Sequence, residues 1–217
     1  MLVVDSLEHA YGDNRVLSGI YARVEPGEVV GIVGRNGCGK TTMLRALLGT
    51  LVPDHMHLTV DGELVRNAYR SGVIAYLPQE PYLPRRMRVR RAVSLALPHR
   101  HEREAVSNHA GLAGLHRRRL SVLSGGERRI LEVLIAINFP ARYVLLDEPF
   151  TEVEPMHRRP LGALIRRTAE RCARGVIVTD HAYRNVLATA DRVFVMADGV
   201  LRSAAGEDDL RRWGYTP

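Results

Sequence analysis

Gly34-Arg35-Asn36-Gly37-Cys38-Gly39-Lys40-Thr41 is the stretch on which the reading of this 217-residue chain turns. Only residues without a Cβ let a backbone fold back so that its N–H groups face inward at a polyphosphate, and Gly34, Gly37 and Gly39 meet that demand. Arg35, Asn36 and Cys38 complete the loop and Thr42 follows it. Lys40 supplies a mobile positive charge for the terminal phosphates, and the Thr41 hydroxyl is placed to ligate Mg²⁺. The spacing predicts a nucleoside triphosphate site. Cys38, beside Lys40 and a helix N-terminus, is either a thiol whose thiolate is favoured or a small residue that merely fits.

The flanks of the loop agree with that reading. Val29–Val33 is a short, continuously apolar run, as expected of a strand buried on both faces, and residues 41–48 have helical apolar spacing that stops at Gly49. Upstream, residues 2–9 read as a strand, 11–14 as a turn and 20–24 as a second strand closed by Pro26-Gly27. Downstream, 58–64 reads as a hairpin on Asp61-Gly62 and 73–77 as a strand. From Gln79 to Val122 the chain turns Arg- and His-rich with helical patterning, as at 89–97. Beyond it come an apolar helix at 127–137, a buried strand at 143–146 and a helix at 156–172 opened by Pro155. Strands follow at 176–179 and 192–196, with Asp198-Gly199 turning into 200–202. Helices between short apolar strands predict an α/β domain with a mostly parallel sheet.

Two further stretches carry chemistry. Asp147-Glu148 ends an apolar strand, where open α/β sheets place their ligands; Asp147 suits Mg²⁺ held through its water shell, and Glu148 suits polarising an attacking water. Leu123-Ser124-Gly125-Gly126-Glu127 is a capping box that opens the 127–137 helix. The same helix tip, preceded by two glycines, also offers free N–H groups and a hydroxyl to an anion.

In this order the motifs resemble those of the ATP-binding cassette (ABC) ATPases over nearly the whole chain. The resemblance implies a P-loop NTPase fold with an antiparallel β subdomain and an inserted helical lobe, the core being 1–78 and 123–217 and the lobe 79–122. It implies that ATP with Mg²⁺ is bound by a head-to-tail homodimer, or by a pair with another such ATPase, with Ser124, Gly125 and Gly126 of one subunit reaching the γ-phosphate held by the other. Gln79 resembles the Q-loop glutamine that reaches Mg²⁺ and the catalytic water, and His181 the switch histidine that donates to the γ-phosphate. Tyr11, ahead of Val16, stands where the family stacks a ring on adenine; a tyrosine packed under a turn is the alternative. Asp147-Glu148-Pro149-Phe150 and Thr179-Asp180-His181 look most like the lipopolysaccharide-transport ATPase and its branched-chain amino-acid importer relatives. The chain departs from the family at the D-loop, where Glu152 stands for a small residue and Glu154 for the aspartate, which puts coupling between the two sites in question rather than nucleotide binding.

Composition bounds the rest. Two cysteines make no disulfide framework, the N-terminus is acidic where a signal peptide would be basic, and no stretch approaches the roughly 20 apolar residues of a membrane span. The expectation is a cytoplasmic protein, peripheral on the inner face of the membrane, that drives a separate integral membrane permease docked near Gln79 and the lobe. A soluble assembly ATPase is the alternative, and intact Lys40, Asp147, Glu148 and His181 argue against a regulator that binds without turnover. Net charge is +7, with a basic cluster at Arg85, Arg86, Arg88, Arg90 and Arg91 that reads as a solvated face or as attraction to anionic headgroups or an acidic partner. The absence of interleaved aromatics there argues against nucleic acid.

Overall fold

A computed structural model describes residues 1–213 and Tyr215, apart from the side chain of Ala110. The chain begins with β1 (Leu2–Tyr11), β2 (Asn14–Val24) and β3 (Val29–Val33), then α1 (Lys40–Leu48). Next come β4 (His55–Val60), β5 (Glu63–Leu64), the short α2 (Ala68–Ser71) and β6 (Ile74–Leu77). Helices α3 (Val89–Ala96) and α4 (Arg100–Ser107) fill the Arg- and His-rich stretch ahead of α5 (Gly125–Asn138). The remainder is β7 (Tyr143–Asp147), α6 (Pro155–Cys172), β8 (Gly175–Asp180), α7 (Tyr183–Thr189), β9 (Arg192–Ala197), β10 (Val200–Ala204) and α8 (Glu207–Arg212).

Six strands form one sheet in the order β10-β9-β3-β8-β7-β6, parallel except for β10 at the edge. Four more, β2-β1-β4-β5, form a separate antiparallel sheet. The reading of an α/β domain with an antiparallel β subdomain is met.

Alternation along the central strands explains their unbroken apolar sequence. Val144 and Leu146 of β7, with Val176 and Val178 of β8, face α5 and α6; Tyr143, Leu145 and Ile177 face α1 and the antiparallel sheet. A strand covered on both sides has no solvent face to mark with polar residues. The α5 side of the core continues without a break into Leu83, Val89, Val93, Leu97, Val106, Leu112 and Leu120. Residues 79–122 thus share one hydrophobic cluster with the sheet.

Some boundaries moved. Asn14 already pairs with Tyr11, so β2 starts six residues before the expected strand and the turn shrinks to Gly12-Asp13. The apolar alternation that marks a strand is weak over Asn14–Gly19, and the pairing to β1 holds it in place. Asp61 and Gly62 both have positive φ, 52° and 84°, as a two-residue hairpin turn of this kind requires. Pro155 sits in the first turn of α6, where its missing N–H costs nothing.

Candidate nucleotide site

Strand register builds the site. Val33, the residue before the glycine loop, pairs with Asp180, Asp147 pairs with Thr179, and Leu77 pairs with Leu146. The carboxyl ends of β3, β8, β7 and β6 therefore bring together four segments scattered over the sequence: the loop, Asp180-His181, Asp147-Glu148 and Gln79. Asn36, Gly37, Gly39, Lys40, Thr41, Thr42, Gln79 and Glu148 line one cavity of about 280 Å³.

The loop closes over the tip of α1. Gly37 and Gly39 have φ of 81° and 107°, and no side chain caps the α1 amides, which leaves them directed at the cavity. Gly34 is required by close approach: a Cβ there would lie 2.6 Å from Cys38 Sγ and 2.7 Å from the Met196 carbonyl oxygen. Lys40, the one lysine in the sequence, is buried, and its Nζ donates to the carbonyls of Gly34 (2.8 Å) and Arg35 (3.0 Å). Cys38 Sγ lies 3.8 Å from the same nitrogen and is half-buried.

Asp147 is fully buried and accepts hydrogen bonds from Thr179 Oγ1 at 2.6 Å and the Tyr76 hydroxyl at 3.2 Å. Burial, reinforced by the charge of Asp147, pushes the Tyr76 phenol well above its ordinary value, so it remains a donor. Glu148 has a left-handed φ of 51°, rare for a residue with a side chain. Its N–H donates to the Thr179 carbonyl, and Thr151 Oγ1 donates to its Oε2 at 3.1 Å. His181 Nδ1 lies 3.4 Å from that Oε2 and 3.6 Å from Asp180 Oδ1. Burial pushes the Asp180 carboxyl upward, while the Ala182 N–H and His181 pull it down; Asp180 Oδ2 is buried without a hydrogen-bond donor.

Arg129 is a residue that motif reading missed. Four per cent exposed on α5, it donates through Nη1 to the Pro78 carbonyl at 2.8 Å, and through Nη2 to the carbonyls of Asp147 and of Glu148, the latter at 2.9 Å. Burial drives its ionisation downward from the ordinary arginine value, opposed by Glu132 first and then by Asp147 and Glu148, and the guanidinium stays charged. One side chain ties the capped helix to the backbone of the acidic pair and to the residue before Gln79. A charged residue on the inner face of an apolar helix is the only signal the sequence offers for it.

Ser124 keeps its capping box: its Oγ accepts from the Glu127 N–H at 3.1 Å, and Glu127 Oε2 accepts from the Ser124 N–H at 2.8 Å. Ser124, Gly125 and Gly126 line a separate cavity of about 540 Å³ together with Glu127, Glu152, Glu154 and His157. This cavity shares no lining residue with the one around Lys40. Glu152 holds φ of 62°, and its carboxylate lies where a Cβ on Gly125 would sit, 2.3 Å from that point. The D-loop acids thus stand on the serine-led face.

A third cavity, of about 460 Å³, opens beside the loop and is lined by Asn14, Arg15, Val16, Arg35, Trp213 and Tyr215 among others. Tyr11 lies outside it. Because β1 continues to the hairpin tip, the Tyr11 ring is 52% exposed and packs edge-on against His9, centroids 4.6 Å apart. The aromatic rings at the loop come from the C-terminal segment, where the Tyr215 hydroxyl also donates to the His181 carbonyl.

Thr41 and Gln79 line the loop cavity and Asp147, fully buried, is not among its lining residues; all three carry oxygen donors, the kind a hard divalent cation prefers. Among the described residues no group of three or more His, Cys, Asp and Glu is arranged to hold a metal unaided. The residues fit Mg²⁺ that arrives with phosphate oxygens supplying its remaining ligands.

Comparison with known proteins gives the family. A family model described as ABC transporter matches residues 17–151. The chain is 32% identical to the lipopolysaccharide export system ATP-binding protein LptB of Acidithiobacillus ferridurans, covering 97% of this chain and 92% of that protein. It is also 32% identical to the LptB of Escherichia coli K12, covering 92% and 88%. A solved structure described as the ATP binding subunit of an ABC transporter superposes with a TM-score of 0.81 at 22% identity, covering 99% of this chain and 94% of the other. A nucleotide-free ATP-binding cassette from an ABC transporter gives the same score at 20% identity. The chain belongs to the ABC transporter ATP-binding proteins, ATPase subunits whose hydrolysis of ATP energises transport.

Proposed function

We propose that two copies of this chain pair head to tail, each triphosphate lying between the glycine loop of one copy and the Ser124 helix tip of the other. The observation that carries this reading is the separation of the two cavities: Ser124 and Lys40 of one chain line different ones. In the pair, the α1 amides and Lys40 hold the phosphates, and Thr41, Gln79 and Asp147 would hold Mg²⁺, which neutralises charge on the transferred group. Glu148 orients and deprotonates water, with Thr151 and His181 fixing its Oε2. Membership of the ABC transporter ATP-binding proteins supports a permease partner, and among the described residues no helix is long and apolar enough to cross a membrane. That partner docks near the cleft where Gln79, Glu80 and Pro81 meet Arg128 of α5, on a lobe spanning about 79–122.

Complementation tests the shared site. Lys40→Ala and Ser124→Arg are each expected to abolish ATPase activity, and mixing them restores up to about a quarter of the wild-type rate, because half of the pairs are mixed and each mixed pair keeps one intact site. If the mixture stays as inactive as its components, the shared site is wrong.

Glu152 bears on the same face. Its carboxylate lies against the helix tip that receives phosphate, and its left-handed backbone favours glycine. Glu152→Gly is expected to lower the ATP concentration for half-maximal dimerisation several-fold, about 1 kcal/mol in effect. Gel filtration across an ATP titration reads it, and an unchanged midpoint counts against the account.

A further inference from the structure

Two arginine-rich segments that the sequence keeps about thirty residues apart lie side by side in the fold. Arg88 pairs antiparallel with Arg119. The Val89 N–H donates to the Arg118 carbonyl (3.0 Å), Leu120 to Met87 (2.8 Å) and Ser121 to Arg85 (2.8 Å). Val89 and Leu120 turn into the core, whereas Arg85, Arg86, Arg88, Arg90, Arg91, Arg117, Arg118 and Arg119 are all exposed. Among the described residues no carboxylate pairs with any of these eight.

The concentration of charge is lopsided. Residues 81–122 hold ten arginines against two glutamates, a surplus larger than the +7 of the whole chain, so the rest of the molecule is close to neutral. Both glutamates are committed to α4: Glu102 accepts from the His99 N–H at 3.1 Å, and Glu104 pairs with Arg100 at 2.7 Å. The ladder also has an apolar fringe. Tyr82 is 43% exposed, Leu95, one helical turn from Arg91 on α3, is 68% exposed, and Val122, just past the ladder, is 62% exposed.

We propose that this ladder is a docking face for an anionic lipid bilayer. Guanidinium groups bind phosphate bidentately, and a row of them beside exposed aliphatic side chains matches a surface where headgroup phosphates overlie acyl chains. Single-stranded nucleic acid wants aromatic rings between the cations, and here one ring stands at the edge while Leu95 and Val122 would have no use. The ladder is separate from the nucleotide cavities, so this face works whether or not the shared-site dimer holds.

The test is co-sedimentation of the full chain with protein-free vesicles, in which no permease is present. At about 0.1 M salt the chain is expected to bind phosphatidylcholine vesicles containing about 30% phosphatidylglycerol, not pure phosphatidylcholine, and to be released near 1 M salt. The triple variant Arg85→Gln, Arg88→Gln, Arg118→Gln should partition about a hundredfold more weakly, at about fivefold per arginine. Its vesicle-free ATPase rate, unchanged from wild type, reports that it is folded. Equal binding to neutral vesicles overturns the proposal, as does undiminished binding by the triple variant. So does a wild-type chain that ignores anionic vesicles yet binds duplex DNA or an acidic protein through these arginines.

Discussion

Glu148→Gln is expected to slow ATP turnover by roughly 10²–10⁴-fold while nucleotide still binds. Gln keeps the length of the side chain and a group that bonds to Thr151, so the strained backbone and its hydrogen bond to Thr179 stay in place. What disappears is the carboxylate that takes a proton from water. Removing that charge from a cavity about to receive a triphosphate also relieves repulsion, so the ATP-bound dimer should outlast that of the wild type. Phosphate release and gel filtration in saturating MgATP read the two effects separately. A variant that turns over at the wild-type rate removes Glu148 from the chemistry; one that stays monomeric with ATP bound removes the dimer.

Arg129→Met is expected to destabilise the apo protein by about 3–5 kcal/mol, the usual result of deleting one partner from a buried charged network. Glu132 is fully buried, and its Oε2, 3.6 Å from Arg129 Nη1, has no hydrogen-bond donor, so the substitution removes the cation on that side and leaves Arg128 Nε, 3.2 Å from Oε1, as its remaining charged partner. Three carbonyls lose the guanidinium at the same time, those of Pro78, Asp147 and Glu148, the last keeping the Thr151 N–H at 3.2 Å. Urea unfolding of the apo chain measures the loss. A second readout separates positioning from bulk stability: kcat should fall more than KM rises, because the carbonyls released belong to the acidic pair and to the residue before Gln79. Arg129→Lys retains the charge but reaches fewer acceptors, so it should recover only part of both. Wild-type unfolding together with wild-type kcat in Arg129→Met would dismiss the clamp.

Motifs confined to a few successive residues were legible because their physics is local. The glycine loop needs particular backbone angles, Ser124 and Glu127 cap each other three residues apart, and Asp61-Gly62 forces a tight turn. Short helices were not legible. Neither α2, at four residues, nor α7, at seven, is long enough to show an apolar period, and both exist because they pack on the sheet. Tyr11 stands ahead of Val16, where the family stacks a ring on adenine; Val16 lines the cavity beside the loop, and Tyr11, at the end of β1, is not among its lining residues.

By itself the sequence determined that the chain builds a phosphate loop, an acidic strand end and a capped glycine helix, and hence its family, since each follows from neighbouring residues constraining one another's backbone. Tertiary structure alone decided which of these share a cavity. Strand register set Lys40 beside Glu148 and Gln79 while leaving Ser124 on another face, turned Arg129 inward onto three carbonyls and laid two distant arginine runs along one surface. The reason is that contacts between residues tens of positions apart are fixed by burying both faces of a common sheet, a constraint no short stretch of chain contains.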